Sequence, residues 1–198
     1  GERPDLQRYN SSVKTMKNFL CRVFGGAANR PGTEFIGRVL DDSKEYRCIP
    51  FKFSTTQTYC LVFFVFMMVV VKDGGLVLNA NKNIVSVTKA NPAVVEITGH
   101  GYSNGDFWYC NDGGQMTQLE GRFYKIKNKT TDTFELTDLD GNNIDSTNFT
   151  TYSSGGTGAT LYVLVTPYDH EDLFDIDYTQ SADTMTLVCV GYDAKELT

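Results

Sequence analysis

The sequence predicts a mainly β protein: an antiparallel β-rich host domain with one or two short helices, carrying an inserted small β-barrel. Three observations lead there. The aromatic residues make up 13% of the chain and are nearly all Tyr and Phe, which favour pleated, half-buried surfaces. Eighteen glycines supply many turns. Short apolar runs are separated by clusters of Gly, Asn, Asp and Pro instead of recurring at a helical period.

Residues 5–9 read as a short helix with Asp5 in its first turn. Residues 16–24 and 33–40 read as strands. Between them Gly25-Gly26 and Pro31-Gly32 bracket a tight loop, Ala27-Ala28-Asn29-Arg30. Asp41-Asp42-Ser43 turns the chain into a strand at 46–53, where Arg47, Ile49, Phe51 and Phe53 alternate. Cys60 to Val71 is an unbroken run of twelve apolar residues. That is short of the roughly 20 a membrane-spanning helix needs, so it reads as buried strand over 59–71. Lys72-Asp73-Gly74-Gly75 is a turn, and 75–78 completes a meander.

The texture changes at residues 79–83. Short strands follow at 84–89, 93–98, 106–111, 122–128, 133–137 and 150–152, each bounded by turn residues. That spacing suggests a small closed barrel or sandwich, with Ser153-Ser154-Gly155-Gly156-Thr157-Gly158 as the closing linker. Beyond it, 161–165 reads as a strand. Residues 171–178 read as a short amphipathic helix, with Leu173, Phe174, Asp177 and Tyr178 on one side. Residues 185–190 read as another strand. The simplest organisation is a host of residues 1–79 plus 161–198, with 80–160 inserted at a hairpin tip, where little buried backbone is disturbed.

The net charge of −6 is unevenly spread. Residues 1–60 carry ten Lys/Arg against six Asp/Glu, whereas residues 161–198 carry one against eight. An acidic C-terminal part disfavours general nucleic-acid affinity, which scales with the cations presented to phosphate. The five cysteines form no C-x-x-C pair, so neither a zinc site nor a thioredoxin-type pair is expected; buried free thiols in a reducing cytoplasm fit them better. The polar first residues do not read as a signal peptide, and the three N-x-S/T sequons, at Asn10, Asn128 and Asn148, read as chance.

No catalytic pattern stands out, and no enzyme or cofactor is expected. His100, in a Gly-His-Gly turn, and His170 read as turn and capping residues. The acids Asp169, Glu171, Asp172, Asp175 and Asp177 lack the spacing of a calcium loop and suit the start of a helix. Asp138 to Asn143 reads as a hairpin turn. The glycines of GGAANRPGT are not followed by the Lys-Ser/Thr of a phosphate loop. A wall hydrolase using Asp172 and Asp175 as a carboxylate pair is the enzyme alternative.

The host segments resemble the N-terminal region of tail hub, or nozzle, proteins of short-tailed bacteriophages. The resemblance rests on Asn18-Phe19, on the stretch from Gly25 to Phe35 and on Ile49-Pro50-Phe51-Lys52-Phe53-Ser54. It continues through Gln57-Thr58-Tyr59, Lys72-Asp73-Gly74-Gly75, Thr166-Pro167-Tyr168, Asp172-Leu173-Phe174 and the stretch from Tyr178 to Asp183. The insert resembles the small β-barrel named for the first catalytic cysteine half-domain of ubiquitin-activating enzymes. Its matches include Asn91-Pro92-Ala93-Val94-Val95, the stretch from Gly99 to Asp106, Gly121-Arg122-Phe123-Tyr124 and Thr133-Phe134-Glu135-Leu136. One departure is the run from Leu61 to Met68, where the hub family has a polar, Gly-containing turn. Another is the end at Thr198, where a hub protein continues for several hundred residues, so the chain reads as a fragment or a shortened version.

The resemblance implies a virion tail protein, made in the bacterial host cytoplasm and assembled as a hexameric ring beneath the portal adaptor. It would hold tail fibres or spikes and pass DNA through its lumen without specific binding, with no membrane insertion. Closed rings need heterologous contacts, for which the candidates are Asn29, Arg30, Pro31 and Gly32 together with Phe63, Phe64, Phe66 and Met67. Asp169, Glu171, Asp172, Asp175 and Asp177 are candidates for an acidic lumen face. The alternative is a carbohydrate-binding or host-surface adhesin, with Tyr102, Trp108 and Tyr109 in the barrel as a ligand platform beside Phe107.

Overall fold

The structure is a computed structural model that describes residues 17–21, 26–30, 32, 44–54 and 57–198. The chain divides into two compact units, Gly1–Phe35 and Ile36–Thr198. In the first, β1 (Phe19–Cys21) and β2 (Ala27–Asn29) form an antiparallel hairpin in which Phe19 pairs with Asn29. Pro31 and the segments expected as a helix at 5–9 and a strand at 33–40 lie outside the described residues.

The second unit begins, in its described part, with β3 (Arg47–Lys52), β4 (Thr58–Phe64), β5 (Met67–Lys72) and the short β6 (Gly75–Leu76). The apolar run expected as one strand is therefore a hairpin, β4–β5, with Val65 and Phe66 as its loop. Its continuous hydrophobicity has a physical cause. Strand side chains alternate between faces, and the β4–β5 hairpin is covered on both. Ile49, Phe51, Leu61, Phe63 and Met68 pack on one face; Phe64 and Val69 pack on the other. Asp73 and Gly74, both at positive φ, make the tight turn that the sequence marks after β5.

Residues 82–160 build a sheet of seven strands. They are β7 (Lys82–Asn83), β8 (Ser86–Val87), β9 (Val94–Glu96), β10 (Phe107–Asp112), β11 (Phe123–Lys127), β12 (Thr133–Thr137) and β13 (Thr157–Thr160). The order is β7-β13-β10-β11-β12-β9-β8, which corrects the expected barrel: the ladder does not close. Instead, one continuous segment serves both ends. The Ile84 N–H donates to the Gly156 carbonyl and the neighbouring Val85 N–H donates to Glu96, each at 2.8 Å. Residues 150–152 form no strand, and part of the expected glycine linker is β13. Gly158 is required there because a Cβ would overlap the Trp108 indole. The core holds Trp108, Phe134, Leu136, Ile126 and Val95, all fully or nearly fully buried. Each such side chain contributes about 1.5–3 kcal/mol of transfer free energy.

β13 runs through Thr160 and Leu161 into β14 (Val163–Val165), which pairs with β5. This shared stretch joins the two sheets. The Asn79 N–H donates to the Thr160 carbonyl at 2.8 Å, its side-chain amide donates to Thr160 Oγ1 at 3.0 Å, and Leu78 bridges Leu161. Phe107 and Leu161 pack with Phe64 and Val69 between the sheets.

The chain closes with β15 (Asp177–Ser181), β16 (Thr184–Val188) and β17 (Lys195–Leu197), an antiparallel sheet. The helix expected over 171–178 does not form. Residues 170–175 are consecutive turns, and Asp177 begins β15. Leu173 and Ile176 go into the core that also holds Met185 and Leu187, so burial at a spacing of three comes from a folded loop. Among the described residues the only helical element is a 3-10 turn at Thr117–Leu119, and no helix is long and apolar enough to cross a membrane.

Candidate interaction surface

The sequence around the β4–β5 loop contains no Gly, Asn or Asp to adopt the left-handed conformation that such a loop requires. Phe66 adopts it at φ 56°, a state costing a side-chain-bearing residue about 1–2 kcal/mol. Two backbone hydrogen bonds hold it there. The Phe66 N–H donates to the Tyr168 carbonyl at 2.8 Å, and the Thr166 N–H donates to the Phe66 carbonyl at 3.0 Å. Tyr168 is itself fixed: its buried ring meets Tyr192 edge-on at 5.4 Å and lies 6.3 Å from Phe63. The loop is thus shaped by a segment about a hundred residues later in the chain.

Phe66 stays 51% exposed, and Val165, paired with the register neighbour Met67, is 88% exposed. Tyr46 precedes β3 at the same end of the sheet, with its ring 6.1 Å from Phe64, and is also exposed. Arg47 clamps the 169–176 loop to that end, its Nη1 donating to the carbonyls of Leu173 and Ile176, both at 2.8 Å. Phe174, between those carbonyls in sequence, is 62% exposed. Four large apolar side chains therefore stand exposed at one end of the host sheet, and exposed Glu171, Asp175 and Asp177 border them. Grouped exposed apolar surface rimmed by polar residues is how interaction sites present themselves.

The candidate residues divide. Phe66 is on this surface and Met67 is half-buried behind it, but Phe63 and Phe64 are buried on opposite faces of the sheet and are corrected as contact residues. Strand alternation decides this, since neither side chain can leave its core without moving β4. Asn29, Arg30 and Gly32 of the first unit are exposed. Val165 and Tyr46 were missed. Nothing in a Val-Leu-Val strand says which valine faces solvent until its partner strand is known.

Of the acids, Asp172 and Asp169 do local work. Asp172 Oδ2 accepts from the Asp169 N–H at 3.0 Å and from the Tyr192 hydroxyl at 2.6 Å. That hydrogen bond raises the Tyr192 phenol to about 12. Asp169 accepts from the His170 N–H at 2.6 Å and lies 2.8 Å from His170 Nδ1, contacts that hold its carboxyl below the usual range. Both close turns and are partly exposed, whereas Glu171, Asp175 and Asp177 are exposed.

The expected ligand platform does not assemble. Trp108 is fully buried and Tyr102 nearly so, both in the core of the seven-stranded sheet around the Phe134 ring. Tyr109 points to the other face, its ring tilted against Phe123 at 4.7 Å. Alternation along β10 places neighbours on opposite sides, so an F-W-Y run cannot make a single flat surface. His100 is buried, and its Nδ1 accepts from the Tyr102 N–H at 2.9 Å, closing the turn as expected.

Among the described residues no group of three or more His, Cys, Asp or Glu is placed to hold a metal ion. Comparison of the sequence with protein-family models and with curated proteins finds no match.

Proposed function

We propose that this chain is a structural subunit of a short phage tail, of the hub or nozzle kind, whose copies contact one another through the apolar end of the host sheet. The reading joins the resemblance of the host segments to one observation: a strained, rigidly held loop presents Phe66 beside Val165 at the end of a hairpin buried on both faces. A surface of this kind is stiff, so little ordering entropy is lost when a partner covers it.

In a closed ring of six, the apolar end of one subunit meets a different patch on the next, the head-to-tail contact that rotational closure requires. The exposed acids Glu171, Asp175 and Asp177 face the channel in this reading, where like charge keeps DNA from sticking. The seven-stranded insert, tied to the host by Asn79, Thr160 and Leu161, serves as a rigid outward spacer toward fibres or spikes. Burial of Tyr102 and Trp108 weighs against the adhesin alternative.

Negative-stain imaging of concentrated protein tests the reading. Rings with a central opening support it. A field of single particles at every concentration contradicts it.

A further inference from the structure

A separate feature lies on the face of the host sheet that carries Val62 and Val69. Cys48 of β3 stands opposite Val62, and Cys60 of β4 stands opposite Pro50, so the two cysteines are diagonal neighbours on adjacent strands. Positions two apart on a strand share a face, and both thiols point the same way. The Cys48 thiol is near enough to help push the Cys60 thiol up. Cys48 is exposed and Cys60 half-buried, whereas Cys110 and Cys189 are buried in two other cores.

We propose that Cys48 and Cys60 form a reversible dithiol that exchanges with small-molecule disulfides of the glutathione class, Cys48 being the entry thiol and Cys60 the resolving thiol. This does not depend on ring assembly.

The chemistry balances in two exchanges. The Cys48 thiolate attacks one sulfur of glutathione disulfide. A mixed disulfide forms on Cys48, the glutathione S–S bond breaks, and one glutathione thiolate leaves. Cys60 then loses its proton and attacks the Cys48 sulfur, forming the Cys48–Cys60 bond and releasing the second glutathione. The protons lost by the two protein thiols end on the two glutathione thiols, so the protein is oxidised by two electrons and the small disulfide is reduced.

The order follows from accessibility and thiolate supply. Burial, and then the neighbouring Cys48, push the Cys60 thiol up to about 11, which leaves little thiolate for a first attack from solution. Once Cys48 carries a good leaving group beside it, the second step is intramolecular and fast. Diagonal positions on an antiparallel pair start about 7–8 Å apart between Cα atoms. A relaxed disulfide spans less than that. Closure therefore shifts β3, the last strand of its sheet among the described residues, along β4. The resulting bond is strained and easily reduced, as a switch requires.

Incubation of the full chain with oxidised glutathione, followed by non-reducing tryptic mapping, tests the proposal. The expected product is a disulfide joining the peptide Cys48–Lys52 to the peptide Phe53–Lys72, reversed by millimolar reduced glutathione. In Cys60→Ser, the glutathione adduct on Cys48 should persist at least about tenfold longer than in the parent protein. In Cys48→Ser, Cys60 should take up glutathione far more slowly. Recovery of Cys48 in the parent protein only as a lasting glutathione adduct, as a free thiol, or bonded to another cysteine overturns the proposal.

Discussion

Phe66 and Tyr168 are joined by a backbone hydrogen bond of 2.8 Å, and that bond holds Phe66 in a left-handed conformation at the tip of β4–β5. Under the proposed function, this strained and half-exposed residue serves subunit contact, not the stability of its own loop.

Replacing Phe66 with Gly separates the two roles. Glycine accepts the same φ without a Cβ penalty, so stability should rise by about 1 kcal/mol, measured by urea unfolding. Self-association should weaken in the same variant. Loss of stability on this change would show that the Phe66 ring packs for the fold.

Gly158 lies against the indole of Trp108, and a methyl group there has nowhere to go. Gly158→Ala should destabilise the seven-stranded sheet by about 1–3 kcal/mol through overpacking. Trp108 is the only tryptophan and is fully buried, so its fluorescence reports the unfolding directly.

His100 supplies an acceptor for the Tyr102 N–H inside the core, between Gly99 and Gly101, both at positive φ. His100→Ala should cost about 2 kcal/mol or more, because it leaves that N–H unpaired as well as opening a void. His100→Asn should recover part of the loss, since its side-chain oxygen can accept from the residue two further on. Equal losses in the two variants would mean that ring packing outweighs the hydrogen bond.

Three carboxylates, Asp138, Asp145 and Asp169, have pKa values lowered chiefly by side-chain hydrogen bonds from Asn142, Thr147 and His170. A folded-state value below the unfolded one favours the fold at pH values above the unfolded pKa, about 4. This contribution fades as pH falls through the lower folded value. Chemical denaturation should therefore show stability holding from pH 7 to about 5 and declining below 4. Asp138→Asn should flatten part of that decline.

Several elements were legible because a local rule and the tertiary environment agree. Ile49 and Phe51 alternate and are buried on one face, and Asp73-Gly74 makes the turn its sequence announces. The β4–β5 loop was not legible. All residues from Leu61 to Met68 are apolar, and the turn is set by hydrogen bonds from 166–168. The glycines near 155–158 read as a linker because glycine usually marks one; here Gly158 is a strand residue whose missing side chain makes room for Trp108. The candidate surface was half legible. The run containing Phe66 stood out by composition, but which of its residues reach solvent depends on pairing, and Val165 and Tyr46 gave no local signal.

The mass of the chain in solution, followed by light scattering across a wide concentration range, tests contact through Phe66 and Val165 most directly. The parent protein should grow from subunit to multi-subunit mass. The double variant Phe66→Ser, Val165→Ser should stay at subunit mass with an unchanged circular dichroism spectrum. A parent protein that remains a single subunit throughout, or a double variant that assembles as well as the parent, would contradict the account.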